Sequence, residues 1–154
     1  MDEGLKVCIV GATGLVGRTM LQVLEEHAFP VSELLPVGSE RSIGTDVYFK
    51  GEALDVLSME SALAKMPQVA LFSAGGSVSE QWAPRFAEAG TTVIDNSSAW
   101  RMNGDCPLVV PEVNGHAIQS HHRIIANPNC TTMQLVMALK PLHDLFQIKR
   151  GIVS

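Results

Sequence analysis

Leu5-Lys6-Val7-Cys8-Ile9-Val10 runs directly into Gly11-Ala12-Thr13-Gly14-Leu15-Val16-Gly17, and this junction decides the fold. The first six residues are a short apolar run with β-branched content, closed by glycine, which predicts a buried strand. Beyond the glycines, Leu15, Val16, Met20, Leu21 and Leu24 recur at helical spacing and predict a helix ending near His27. Gly11, Gly14 and Gly17 therefore sit between a strand and a helix. Glycine lets a backbone turn tightly and approach a pyrophosphate, and a helix start offers unpaired N–H groups with partial positive charge. A glycine triplet alone marks only a turn; its place between strand and helix points to a dinucleotide.

Working outward, Leu34 to Val37 predicts a second strand, although Pro36 lies inside it. Residues 38–51 are rich in loop formers, with a short strand expected at Val47 to Phe49. Leu63 and Met66 suggest a short helix before Pro67. Val69 to Phe72 predicts a buried strand, followed by the small-residue loop Ser73 to Ser77 and a helix from about Ser79 to Ala89. Thr92 to Ile94, Leu108 to Val110 and Arg123 to Ala126 read as further strands. An apolar-periodic helix begins at Cys130, and Pro141 is expected to end or kink it. Lys149 to Ser154 reads as the start of another strand at which the sequence stops, so one piece of a longer protein is expected. Strands alternating with helices predict an α/β fold: a Rossmann-like, doubly wound, mainly parallel sheet with helices on both faces, spanning 1–154 as one domain. No repeat or low-complexity segment is visible.

Composition sets bounds on function. An apolar share of 46% with 18% charged residues suits a folded domain, and 154 residues suffice for one core. With aromatics at 5%, that core is expected to be Val, Leu, Ala and Ile. A net charge of −5 argues against nucleic acid as a partner. No apolar run reaches bilayer-spanning length, and Met1-Asp2-Glu3-Gly4 lacks the layout of a signal peptide. A cytoplasmic protein without a membrane partner is the expectation. Cys8, Cys106 and Cys130 match no disulfide or metal pattern, so no metal site is expected. Cys8, in an apolar run, reads as a small hydrophobe. Cys106 precedes a proline in a polar loop and carries no message.

Two further stretches carry chemistry. The end of the second strand should meet the adenosine ribose, and there the sequence reads Val37-Gly38-Ser39-Glu40-Arg41-Ser42. Glu40 could hold ribose hydroxyls and indicate NAD. Ser39, Arg41 and Ser42 instead resemble a site for a 2′-phosphate, which favours NADP; a solvated polar loop is the bland alternative. In Asn127-Pro128-Asn129-Cys130-Thr131-Thr132, Pro128 ends the preceding strand and puts Cys130 in the first turn of a helix. There the helix dipole favours a thiolate, a nucleophile toward carbonyls, and amide N–H groups could hold an oxyanion. The bland alternative is a buried structural cysteine.

These blocks, with Asp95-Asn96-Ser97-Ser98-Ala99-Trp100-Arg101-Met102 and Val110-Pro111-Glu112-Val113-Asn114, resemble the aspartate-semialdehyde dehydrogenases in content and order over essentially the whole chain. The resemblance implies reversible, phosphate- and NADP-dependent oxidation of aspartate 4-semialdehyde to 4-aspartyl phosphate, a step toward lysine, threonine, methionine and isoleucine. It implies Cys130 as nucleophile, Asn129 as its supporting neighbour, and Arg101 as the residue that holds the phosphate or acyl phosphate. It places Gly11, Thr13, Gly14, Leu15, Val16, Gly17, Ser39, Arg41, Ser42, Ser73, Ala74, Gly75, Asn96 and Ser97 around the nucleotide. Without it, Arg101 would read as an ordinary surface arginine.

Members of that family also carry a substrate-aligning glutamine, a substrate-binding arginine and a catalytic histidine that match no motif here. The last two belong to a second domain that also builds most of a dimer interface. The isolated chain is therefore expected to bind nucleotide at best, and the parent to be a homodimer or homotetramer. His121 and His122, expected on a strand with opposite orientations, read as surface residues. N-acetyl-glutamyl-phosphate reductase is the nearest alternative, but it usually has a glycine before its cysteine, where Asn129 stands here. A non-catalytic nucleotide-binding homologue would be expected to lack Cys130.

Overall fold

The computed structural model describes residues 4–152 and is built around a five-stranded sheet. Its strands are β1 (Leu5–Val10), β2 (Val31–Val37), β5 (Val69–Phe72), β6 (Thr92–Asp95) and β7 (Ile124–Ala126), in the order β2-β1-β5-β6-β7 with every pair parallel. The chain winds from β1 to β2 on one side, then returns past β1 to add β5, β6 and β7 on the other. Strand order therefore reverses between β1 and β5, where loops at the carboxyl ends diverge and leave a crevice. The doubly wound parallel fold expected from the sequence is the one observed.

The side-chain alternation of β1 divides the core. Cys8 and Val10 face a cluster completed by α2 (Met59–Ala64) and α3 (Gly76–Glu88), whereas Val7 and Ile9 face one completed by α1 (Leu15–Glu26) and a hairpin. That hairpin joins β3 (Asp46–Phe49) to β4 (Glu52–Asp55). Its turn residues Lys50 and Gly51 have φ of 50° and 80°, the sign that a two-residue hairpin turn requires at both positions. Pro36 is tolerated because β2 is an edge strand. The core is less aliphatic than its composition suggests. Phe72 and Phe86 meet edge-to-face at 5.5 Å in its centre, with Trp82 beside them.

Four local expectations require correction. Leu108 to Val110 is not a strand but a single parallel bridge, Leu108 to Ala126, because Pro107 and Pro111 leave too short a segment to extend a ladder. It leads into the short helix α4 (Pro111–Asn114). Pro141 does not end α5, which spans Cys130–Phe146; Met137, whose carbonyl loses its helical donor to the proline, is exposed. No strand forms over Lys149–Ile152, and residues 153–154 lie outside the described ones. His121 and His122 occupy a turn with their rings side by side, 4.2 Å between centroids, rather than opposite faces of a strand.

Candidate active site

Three helix starts meet at the crevice. The first is the glycine turn. Gly11 has φ of 89°, and the N–H groups of Gly11 and Ala12 both donate to the Val37 carbonyl at 2.9 Å, tying the turn to the end of β2. An added Cβ at Gly11 would lie 2.8 Å from the Ser73 carbonyl, and one at Gly17 would lie 2.1 Å from the Gly11 carbonyl. Neither position has room for a side chain. Gly14 caps α1 with no side chain, and the first helical bond comes from the Arg18 N–H. The N–H groups of Leu15, Val16 and Gly17 therefore remain free at the positive end of the helix, which suits a pyrophosphate.

Beside this turn runs a cleft of about 440 Å³. It is lined by Gly11, Gly38, Ser39 and Glu40, with Met59 and Trp82 among its apolar lining. Thr13 Oγ1 donates to Ser42 Oγ at 3.5 Å, and Ser42 Oγ lies 3.3 Å from Ser39 Oγ. Three hydroxyls predicted for the nucleotide site are thus neighbours. Arg41 is exposed in the same 3₁₀ turn, Glu40–Ser42, and among the described residues it has no ion-pair partner. The wall residues Met59 and Trp82 were not legible as site residues, because their helical spacing is that of core positions.

The second and third helix starts border a neighbouring cleft of about 360 Å³. Gly75, with φ of 92°, caps α3, and Asn129 caps α5. Val16, Gly75 and Cys130, each at the start of a different helix, all line this space. Their partial positive charges converge on it, so an anion is favoured there. Asn129 Oδ1 accepts from the Thr131 N–H at 3.0 Å, the Thr131 hydroxyl at 2.7 Å and the Cys130 thiol at 3.7 Å. Cys130 is exposed to the cleft, which rules out the buried structural reading. Burial pushes the Cys8 thiol up to about 12, and burial followed by the Asp105 charge raises Cys106, so those two thiols are held protonated.

Arg101 lines the same cleft as Cys130 and is a half-buried residue, not a free surface arginine. Its Nε donates to the Asn127 carbonyl and one terminal nitrogen to the Asn96 carbonyl, both at 2.9 Å. Ser97 donates to the buried Asp95 carboxylate at 2.5 Å and accepts from the Ala99 N–H at 3.1 Å, shaping the loop that delivers Arg101. Ser73, Gly75, Asn96 and Ser97 border the Cys130 cleft, and Ala74 borders the nucleotide cleft. The turn at 73–75 is therefore the partition between the two. Among the described residues no group of three His, Cys, Asp or Glu residues could hold a metal, and no helix is long and apolar enough to cross a membrane.

The doubly wound fold defines a class of nucleotide-binding domains, and the chain belongs to one family of it: "Semialdehyde dehydrogenase, NAD binding domain" matches residues 6–121. Its relatives include aspartate-semialdehyde dehydrogenases from several bacteria. The one from Aquifex aeolicus is 57% identical over 98% of this chain and 45% of its own length. The crystal structure of aspartate semialdehyde dehydrogenase II from Vibrio cholerae, complexed with ASA, superimposes with a TM-score of 0.87 at 51% identity, over 92% of this chain and 47% of that one. An aspartate semialdehyde dehydrogenase from Candida albicans, solved with NADP, matches at a TM-score of 0.69 and 27% identity, over 94% of this chain and 48% of that one. The chain thus spans about 45% of the length of the curated relatives it matches.

Proposed function

We propose that the protein to which this chain belongs is an aspartate-semialdehyde dehydrogenase, with residues 1–154 as its NADP-binding, nucleophile-bearing half. The observation that carries this reading is Cys130 at the first turn of α5, lining one cleft together with Arg101 and the starts of two other helices. The Cys130 thiolate adds to the aldehyde carbon of aspartate 4-semialdehyde, forming a C–S bond and a hemithioacetal oxyanion that nearby N–H groups hold. The glycine turn, with no room for side chains and with the N–H groups of Leu15, Val16 and Gly17 free, fits a pyrophosphate; NADP held there would supply the hydride acceptor that oxidation of the hemithioacetal to the thioester requires. Arg101 orients phosphate through charge-assisted hydrogen bonds. A phosphate oxygen attacks the thioester carbon, the C–S bond breaks, and 4-aspartyl phosphate leaves with the Cys130 thiolate restored. Asn129 holds Cys130 in place. Residues 1–154 alone bind nucleotide without turnover, and the full-length protein is a cytoplasmic homodimer or homotetramer.

NADP is favoured over NAD by the hydroxyls of Thr13, Ser39 and Ser42 beside Arg41. One observation supports NAD instead: Glu40 borders the cleft, where Arg41 does not. The test of the reaction is NADPH formation by the full-length protein from aspartate semialdehyde, with and without phosphate. Phosphate-dependent formation is expected, and Cys130→Ser should abolish it while leaving NADP affinity nearly unchanged. Turnover retained by Cys130→Ser would remove that residue from the mechanism.

A further inference from the structure

Asn127, the first residue beyond β7, makes three ties around Arg101. Its N–H donates to the Asp95 carbonyl at 2.8 Å, extending the pairing of β6 and β7 one step past the strand ends. Its Nδ2 donates to Asn96 Oδ1 at 2.6 Å, so the side chains of Asn127 and Asn96 bridge the two strand ends. Each of these residues also presents its carbonyl to the Arg101 guanidinium, both at 2.9 Å. Of the five N–H bonds a guanidinium owns, two are taken by main chain and three stay available to the cleft.

This arrangement has a consequence for the anion. A long arginine side chain has much rotamer freedom to lose, and a bidentate grip on a tetrahedral oxyanion needs a fixed guanidinium plane. Two carbonyls fix that plane only if they are themselves held at a constant separation. Main-chain bonds anchor each loop to the sheet, and the Asn127–Asn96 bridge is the side-chain contact that joins the two residues directly. We infer that Asn127 is a positioning residue: through its bridge to Asn96 it locks the two carbonyls that aim Arg101, and so sets the affinity of this cleft for phosphate. The side chain of Asn127 acts entirely through its neighbours. The inference rests on the reading of Arg101 as the phosphate holder.

The test uses the full-length protein with phosphate varied in steady state. Asn127→Ala keeps the backbone tie to Asp95 and removes only the bridge. It should raise KM for phosphate about tenfold, within the range of couplings between residues of one hydrogen-bond network, and leave NADP affinity and the melting temperature unchanged. In an Arg101→Lys background, where no guanidinium plane remains to be aimed, Asn127→Ala should add almost nothing. A merely structural residue would produce the same loss in both backgrounds, and that result overturns the inference. So does an unchanged KM for phosphate in Asn127→Ala. If that variant folds poorly, Asn127→Ser, which also lacks the reach of the amide, must show the same dependence on Arg101. A wild type without phosphate-dependent turnover would bring down the reading of the site and this inference together. A normal wild type beside an unaffected Asn127→Ala brings down the inference alone.

Discussion

Gly17 illustrates how much one missing methyl group decides. A Cβ there would stand 2.1 Å from a backbone oxygen, so the turn and the helix approach each other only because the side chain is absent. The spacing of the glycines made the tight turn legible, but not this contact between turn and helix. The three cysteines were also legible in part: Cys8 as a core position, Cys130 as the exposed one at a helix start. Arg41 tests the choice of nucleotide at this scale. Arg41→Ala should weaken NADP relative to NAD by about 1–3 kcal/mol, the range for hydrogen bonds to charged groups. Titration of the purified protein with each nucleotide checks this, and equal losses for both would pass the assignment to Glu40. Asn127 has no role legible in the sequence, because its partners Asn96 and Arg101 lie 31 and 26 residues away.

At the scale of elements, α5 joins stability to chemistry through its cap. Asn129 Oδ1 accepts the Thr131 N–H, satisfying one of the free donors at the helix start, and also contacts the nucleophile. The two roles separate by substitution. Asn129→Ala should cost ~0.5–2 kcal/mol of stability and reduce turnover. Asn129→Ser, an equally good cap, should restore the unfolding midpoint but not the turnover, as measured by thermal melts and steady-state rates on the full-length protein. Recovery of both would reduce Asn129 to a cap. Elements with a clear period were legible to within a few residues. The hairpin strand β4 was not, since Glu52–Asp55 is short, half acidic and stabilised by pairing with β3. Leu108 to Val110 misled in the other direction, because Val109 and Val110 are buried without a ladder of their own while Leu108 stays exposed.

For the whole molecule, the reversal of strand order between β1 and β5 brings three helix starts to one crevice. The same winding leaves α5 uncovered: none of its residues is buried, and Leu145 and Phe146 are 76% and 74% exposed. A helix with this much open apolar surface binds apolar ligands or other copies of itself. Residues 1–154 produced alone should therefore enhance the fluorescence of the dye ANS. Replacing Leu145 and Phe146 together by Ser should remove most of that signal while leaving the unfolding midpoint unchanged, because neither side chain contributes to the core. An unchanged signal would place the dye site elsewhere.

The sequence by itself determined the α/β class, the strand–glycine–helix junction, the helix start that carries Cys130 and the family. All of these are local: they depend on periodicity, on backbone freedom at glycine and proline, and on motifs a few residues long. Only the tertiary structure decided that Thr13 meets Ser42, that Phe72 meets Phe86 edge-to-face, and that Asn96 and Asn127 frame Arg101 in the cleft that Cys130 lines. Those contacts join residues from separate loops, and their distances are set by the order in which parallel strands assemble. No spacing along the chain encodes that order.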